Sequence, residues 1–258
     1  MPDRPMPIHS DAARVVPDIV NGDRMADVIF ICDHASNVIP PDLAGLGLPP
    51  AALALHIAWD IGAADITRRL AGAFGAPAVL ATVSRLVLDV NRFLDDPASL
   101  LAQSDGIEVP GNRGASAEER HARAARIFHP YHAATCRLIT RQVAAGRRPA
   151  LVAVHSCTDR MEGVPRPWHV GVLWGRDDRL ARPLLASLGS QTGIVVGDNQ
   201  PYSLQLVRGY TTEVHGEHRG LPYVALEIRQ DLIADPAGAA AWAGRIAAGL
   251  SAALASLD

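Results

Sequence analysis

The sequence predicts one three-layer α/β/α domain built on a mixed, largely parallel sheet. Short apolar runs alternate with longer segments of helical periodicity, which is typical of α/β domains. The runs 28–32 and 150–154 are apolar throughout, as expected for strands covered on both faces. The 258 residues show no internal repeat and no domain-scale linker. We therefore expect a single domain over residues 27–258, preceded by an N-terminal arm over residues 1–26.

The other elements follow from local patterns. Gly75 ends a helix that begins after Asp60, and Ser116 offers a capping signal for a long helix that Pro130 is expected to kink or split. A turn-rich loop covers residues 95–114. The predicted strands are 28–32, 78–83, 84–92, 150–154, 168–174, 194–196 and 223–229, and the predicted helices are 61–74, 117–145, 178–188 and 236–257.

Composition excludes several classes of function. The formal charge of -3 gives no electrostatic reason to bind nucleic acid or an anionic membrane surface. No apolar run approaches the roughly 20 residues that cross a bilayer, and the N-terminus lacks the apolar centre of a signal peptide. The chain contains no lysine, which excludes a Schiff-base or phosphate-loop lysine. We expect a cytoplasmic protein whose partner is a small molecule; the oligomeric state is not predicted.

Two strand-like segments end on a histidine. His34 comes two residues after the run 28–32, and His155 directly follows the run 150–154. Ligands of open α/β sheets bind outside the carboxyl ends of the strands, so we expect both imidazoles at one site. Open zinc sites combine imidazoles with a carboxylate and leave a position for water. Both histidines are candidate metal ligands; the alternative for each is a structural histidine hydrogen-bonded at a strand end.

Three carboxylates are candidates to complete such a site. Asp60 stands at the start of a predicted helix, where it is either a third ligand or an N-cap. Asp33 is the weaker choice, because neighbouring side chains of a strand point to opposite faces. Glu227 lies inside a strand, where a buried carboxylate needs a partner. It is either a general base or one half of a structural ion pair with Arg229.

Other nucleophiles fit less well. Cys32 and Cys157 each lie two residues from a histidine on the same strand, which places thiol and imidazole poorly for proton transfer. There is no G-x-S-x-G motif for a serine hydrolase of the α/β type, and no glycine-rich loop follows the first apolar run. Arg85, Arg92 and Arg229 are candidates to bind a substrate carboxylate through two hydrogen bonds, or are simply surface residues.

Five short motifs together resemble the N-formylglutamate amidohydrolase family, in a shorter and less characterised branch. They are residues 33–37 (DHASN), 56–63 (HIAWDIGA), 84–92 (SRLVLDVNR), 155–156 (HS) and 226–231 (LEIRQD). The resemblance runs in order over about residues 27–233. It implies a phosphorylase/hydrolase-like fold, similar to zinc carboxypeptidases and aspartoacylases. It also implies metal-dependent hydrolysis, with Zn²⁺ or another divalent ion, of an N-formyl or other N-acyl amide on an acidic amino acid, releasing formate and the free amino acid.

The resemblance also implies roles for individual residues. Sites of this kind use a His-x-x-Glu pair, but Asn37 stands where that pattern has glutamate, which makes Asp60 the predicted third ligand beside His34 and His155. Glu227 corresponds to the general base and Arg85 to a catalytic arginine. The residues predicted to bind substrate are Ser36, Asn37, Asn91, Arg92 and Arg229. The alternatives are a non-catalytic module that binds an acidic metabolite on the same fold, or an amidohydrolase for a different N-acyl substrate.

Overall fold

A seven-stranded sheet forms the centre of the computed structural model, which describes residues 15–161 and 163–257. The sheet order is β1-β3-β2-β6-β11-β9-β10. Strands β3, β2, β6 and β11 are parallel, whereas β1 at one edge and β9 with β10 at the other run antiparallel to them. The strands are β1 (Asp18–Val20), β2 (Val28–Cys32), β3 (Ala78–Leu80), β4 (Gln103–Ser104), β5 (Ile107–Glu108), β6 (Ala150–Cys157), β7 (Arg160–Met161), β8 (Val164–Pro165), β9 (Val170–Leu173), β10 (Val196–Asp198) and β11 (Tyr223–Arg229). The predicted mixed, largely parallel sheet is confirmed.

Within the described residues, five α-helices and several short turns surround the sheet. Asp235 caps α5 by accepting hydrogen bonds from the backbone N–H groups of Ala237 (2.9 Å) and Gly238 (3.0 Å). The α-helices are α1 (Ala63–Phe74), α2 (Ala117–Arg123), α3 (His129–Ala144), α4 (Ala181–Gly189) and α5 (Pro236–Leu254). The π-helical turns are Ala124–Phe128 and Thr211–Gly216. The 3₁₀ turns are Pro41–Gly47, Pro50–Ala54, Pro97–Ser99, Pro110–Asn112, Glu217–Arg219 and Gln230–Leu232. None of the helices in the described part of the chain has the length and apolar character needed to span a membrane.

The two faces of the sheet carry separate apolar layers, because successive strand residues point to opposite sides. Phe30 of β2 packs in the layer with α1, α4 and α5. Its neighbours Ile29 and Ile31 pack in the other layer, with Ile139 of α3. Helices thus cover both faces, and the predicted three-layer arrangement is consistent with the structure.

Residues 84–92 are not the strand predicted from the sequence. They form a series of turns, because their polar side chains bond to backbone groups and so compete with strand pairing. The Ser84 hydroxyl donates to the Ala58 carbonyl (2.7 Å), and the Asp89 carboxylate accepts from the Asn91 N–H (2.9 Å). The segment consequently brings Arg85 and Asp89 to the carboxyl end of β2.

Two further expectations are changed in detail. The helix predicted over residues 117–145 widens into the π-helical turn just before Pro130, which has no N–H to donate to a preceding carbonyl. Within the predicted N-terminal arm, Asp18–Val20 pairs with β3 as the edge strand β1. Residues 1–14 of that arm lie outside the described residues.

Candidate active site

The carboxyl ends of three central strands meet at one site. His34 follows β2 by two residues, His155 lies near the end of β6, and Glu227 lies in β11. Residues 155 and 227 are direct partners in the parallel pairing of β6 with β11, so their side chains emerge on the same face. Below them on this face, Ala153 and Ala225 belong to one apolar cluster. The site therefore stands on a rigid, packed part of the sheet.

His34, Asp60 and His155 bring three ligand atoms within 4.8 Å of one another. Asp60 Oδ2 lies 3.2 Å from His34 Nδ1 and 2.9 Å from His155 Nδ1. All three side chains are buried. Asp60 is not the N-cap of α1: Gly62 occupies that position, and the Asp60 carboxylate turns towards the imidazoles. The N-cap interpretation is therefore wrong, and the role of Asp60 as a metal ligand stays a prediction.

The second nitrogen of each imidazole faces another carboxylate. His34 Nε2 lies 2.8 Å from Asp89 Oδ1, and His155 Nε2 lies 3.3 Å from Asp33 Oδ2. Carboxylates in this position orient metal-binding histidines and fix which nitrogen faces the ion. Sequence reasoning missed both contacts, although Asp33 and Asp89 stood within the motifs that it used.

Asp33 is itself held in place by two hydroxyl groups from distant parts of the chain. Its Oδ1 accepts hydrogen bonds from Tyr131 of α3 (2.9 Å) and from Thr211 of the second π-helical turn (2.7 Å). No local pattern in the sequence signals these partners. They tie the site to the elements packed on this face of the sheet.

The donor set fits a divalent cation. With Nε2 of each ring turned to a carboxylate, the Nδ1 atoms can approach Asp60 only if each carries a proton or if a cation lies between them. Burial and the Arg85 guanidinium act to lower the pKa of His34, but Asp89 and Asp60 outweigh them and raise it. Burial opposes protonation of His155 as well, yet Asp33 and Asp60 raise its pKa. Two nitrogens and one oxygen match an open zinc site.

Glu227 has no ion-pair partner among the described residues. Arg229, the alternative partner suggested by the sequence, instead bonds to Asp231 through Nε (2.8 Å). Glu227 is half-buried in β11, and burial raises the pKa of its carboxyl group to about 7, with the charges of His155 and Asp60 acting in opposite directions. A carboxylate that gains a proton near neutral pH suits general acid–base catalysis.

A cavity of about 620 Å³ opens over this site. Arg85 forms part of its wall: its two terminal nitrogens lie 2.8 Å from Asp89 and 3.5 Å from Asp60. Asn91 accepts a hydrogen bond from the Thr211 N–H (3.0 Å), and Arg92 donates to the Arg208 carbonyl (3.3 Å). Of the residues predicted from the sequence, those that line the cavity are His34, Asp60, Arg85, Asn91, Arg92, His155 and Glu227.

Three predicted substrate-binding residues do not line the cavity. The Ser36 hydroxyl accepts from the Val38 N–H (3.1 Å), and the Asn37 amide donates to the Leu53 carbonyl (2.8 Å). Arg229 is directed to Asp231 and to the Arg166 carbonyl. Their proposed contact with substrate stays a prediction.

The cysteines are poor candidates for a nucleophile. Burial and the nearby Glu227 raise the pKa of Cys157 to about 12, and burial raises the pKa of Cys32 well above its ordinary value. Both thiols are therefore protonated at neutral pH, and a protonated thiol is a weak nucleophile.

Comparison with known proteins identifies the family. Residues 26–234 match the family described as N-formylglutamate amidohydrolase. The chain belongs to that family. Among solved structures, gene product Atu2144 from Agrobacterium tumefaciens is 35% identical to this amidohydrolase-family member, with a TM-score of 0.91 over 94% of this chain and 96% of that chain.

A second solved structure shows the same fold at lower identity. It is the N-formylglutamate amidohydrolase from Ralstonia eutropha, 17% identical with a TM-score of 0.71 over 93% of this chain and 97% of that chain. The chain matches no curated protein. The family assignment supports hydrolase activity on an amide bond.

Proposed function

We propose that this family member is a metal-dependent amidohydrolase that acts on an N-formyl, or another N-acyl, amide of an acidic amino acid resembling N-formylglutamate. The products are formate, or the corresponding carboxylic acid, and the free amino acid. The observation that carries the proposal is the cluster of His34, Asp60 and His155, which opens into a cavity beside the carboxylate of Glu227.

His34, Asp60 and His155 would hold the metal ion, for which we propose zinc. When bound, a divalent ion of this kind polarises a carbonyl group and lowers the pKa of water. Asp89 and Asp33 keep the two imidazoles oriented, so that the Nδ1 atoms converge on Asp60. Because these contacts are buried, their geometry needs little rearrangement before reaction.

Glu227 is proposed as the proton shuttle. Its carboxylate accepts the proton of the attacking water as the water oxygen bonds to the amide carbon, and then delivers that proton to the leaving nitrogen as the C–N bond breaks. The pKa of about 7 allows both steps near neutral pH. The carbonyl oxygen gains negative charge during the attack. Arg85, held in the cavity wall by Asp60 and Asp89, is proposed to stabilise that charge.

Asn91 and Arg92 are proposed to contact substrate, since both line the cavity. Ser36, Asn37 and Arg229 remain proposed on the family resemblance alone. Arg229 also has a structural contact with the Arg166 carbonyl. Substitution of each residue by alanine, with KM measured separately from kcat, separates substrate binding from catalysis.

The test combines metal analysis with a substrate panel. Purified protein is analysed for bound metal before and after chelation and is assayed on N-formylglutamate and on N-acyl derivatives of acidic and neutral amino acids. We expect loss of activity on chelation and recovery with Zn²⁺. Full activity in protein without metal would refute the metal mechanism. No turnover of any panel member, with acidic ligands bound equally by wild type and Glu227→Gln, would indicate a binding module instead.

A further inference from the structure

Arg166 is a buried arginine in the wall of the cavity. It follows β8 and is only 7% exposed. Its NH1 donates to the Thr158 carbonyl (3.3 Å) and hydroxyl (3.1 Å), and its NH2 lies 2.8 Å from both the Tyr202 hydroxyl and the Met161 sulfur. The guanidinium also lies 4.9 Å from the centre of the Tyr202 ring. All of these partners are uncharged.

A buried guanidinium without a carboxylate partner is costly in free energy. The other buried arginine of the described chain, Arg123, pairs with Glu119 and also bonds to Asn112 (2.6 Å). Arg85 likewise has Asp60 and Asp89. Across residues 15–161 and 163–257, Arg166 forms no ion pair at all. An arginine left in this state beside a cavity is suited to an anion that arrives with the ligand.

Arg166 is connected to the strand of Glu227 through the segment that carries Tyr202. Gly171 lies opposite Glu227 in the pairing of β9 with β11, and its missing side chain lets the Gln200 carbonyl pack directly against β9. This close approach holds the segment that carries Tyr202, the hydrogen-bond partner of Arg166, beside the strand of Glu227. Arg166 and Glu227 both line the same cavity.

The electrostatic influence of the two groups overlaps. Burial raises the pKa of Tyr202, the Glu227 carboxylate raises it further, and the Arg166 guanidinium opposes the change. Arg229, through its hydrogen bond to the Arg166 carbonyl (3.3 Å), anchors the backbone at this point.

We propose that Arg166 is the anchor for the substrate carboxylate. The inference rests on the proposed amidohydrolase function and assigns its specificity: the substrate carries a carboxylate that reaches the guanidinium while the scissile amide lies at Glu227. Arg85 is less suited to this purpose, because its terminal nitrogens face two charged aspartates. The terminal nitrogens of Arg166 face only uncharged groups, which a carboxylate can replace. The planar guanidinium can bind a carboxylate through two parallel hydrogen bonds.

The competing explanation is purely structural. Arg166 could serve only to fasten the β7–β8 hairpin through Thr158 and Tyr202. Arg166→Met keeps a long side chain and removes the charge, and it breaks the hydrogen bonds to Thr158 and Tyr202 under either explanation. The two explanations therefore differ in their predictions for ligand binding: a purely structural Arg166 leaves the affinity of the folded variant for a carboxylate unchanged.

The binding test uses glutarate, a dicarboxylate that has no amide to hydrolyse. Calorimetric titration compares wild type, Arg166→Met and the control Arg160→Met. Arg160 lines the same cavity but is exposed and bonds to the Gly163 carbonyl (3.1 Å). We expect glutarate affinity to fall by at least about tenfold in Arg166→Met and to change little in the control. Absence of glutarate binding by wild type, or equal affinity in Arg166→Met, would overturn the proposal.

The kinetic test compares N-formylglutamate with its uncharged diamide. We expect Arg166→Met to lower kcat/KM for the charged substrate by roughly 10²–10³-fold and for the diamide by less than about threefold. An equal loss on both substrates would contradict a carboxylate anchor. If the methionine variant does not fold, Arg166→Lys provides the same comparison, with a loss of about tenfold expected because lysine lacks the planar fork.

These measurements separate the two levels of inference. If wild type hydrolyses no N-acyl amino acid but binds glutarate in an Arg166-dependent manner, the amidohydrolase proposal fails and the carboxylate site stands. If wild type hydrolyses N-formylglutamate and Arg166→Met does so equally well, the activity stands and the assignment of Arg166 fails.

Discussion

Acidification should destabilise this protein through one buried pair of histidines. His132 of α3 donates from Nε2 to the Val90 carbonyl (2.8 Å), so its Nδ1 is free to accept the hydrogen bond from His215 Nε2 (3.0 Å). Both rings are buried, and His215 Nδ1 has no partner among the described residues. The pair joins α3 to the π-helical turn whose Thr211 bonds to Asp33.

The stability lost on acidification follows from the pKa values of the two rings. Burial lowers the pKa of His132 from 6.5 to about 4, and burial together with the charges of His132 and Arg219 lowers that of His215 to about 3. In the unfolded chain each ring takes up a proton as the pH falls below 6.5, whereas in the folded protein it stays neutral. The stabilisation is thus complete above pH 6.5 and is lost as the pH falls from 6.5 to about 4 for His132 and to about 3 for His215. At pH 5 the free energy of unfolding has fallen by about 2 kcal/mol for each ring and by about 4 kcal/mol for the pair.

The assay is urea unfolding at pH 7, 6 and 5. The double variant His132→Gln/His215→Gln has side chains of similar size that do not titrate. Between pH 7 and 5, we expect the free energy of unfolding of the double variant to fall by about 4 kcal/mol less than that of the wild type. This difference does not depend on the stability of the variant at pH 7. Because all other groups titrate in both proteins, the difference isolates the pair. His121→Gln, an exposed control on α2, should follow the wild type. Equal losses in wild type and double variant would refute the reasoning.

Three further predictions concern the active site. Glu227→Gln should lower kcat by roughly 10²–10⁴-fold with little change in bound metal, since it removes the proton acceptor and keeps the shape of the side chain. Steady-state kinetics and metal analysis of the variant check both expectations. An unchanged kcat would exclude Glu227 as the base. Asp89→Asn should weaken metal affinity by about 10–100-fold in a competition with a chelator, because His34 loses its orienting carboxylate; unchanged affinity would contradict that role. Cys157→Ala should retain activity within a few-fold, and complete loss would point to a thiol nucleophile.

Much of the fold could be predicted from local sequence. The strands β2 and β11 begin and end where the apolar pattern places them, and α1 ends at Gly75, whose φ of 56° favours glycine. Such elements depend on side-chain periodicity and on residues with special backbone conformations, both of which are visible in a short window. The segment 84–92 was predicted wrongly because its polar side chains bond to backbone groups, one of which, the Ala58 carbonyl, is 26 residues away in sequence.

The candidate site was predictable in part. Two histidines after apolar runs indicated a common site, since strand ends of a parallel sheet meet at one edge. The choice of Asp60 came from the family resemblance and from Asn37, which cannot supply a carboxylate; the geometry agrees with it. Arg166 was not found, because it follows a short hairpin and no motif surrounds it.

The sequence by itself determined the class of fold, the strand ends that carry His34 and His155, and the absence of lysine chemistry. Only the tertiary structure decided which groups face one another: Asp33 and Asp89 behind the imidazoles, and Glu227 beside His155. It also decided that Arg166 has no acidic partner within residues 15–161 and 163–257. The physical reason is that periodicity and backbone preference act over a few residues, whereas hydrogen bonds, burial and charge depend on segments that the fold brings together. The free energy of a buried charge is set by those neighbours, and the neighbours are not encoded locally.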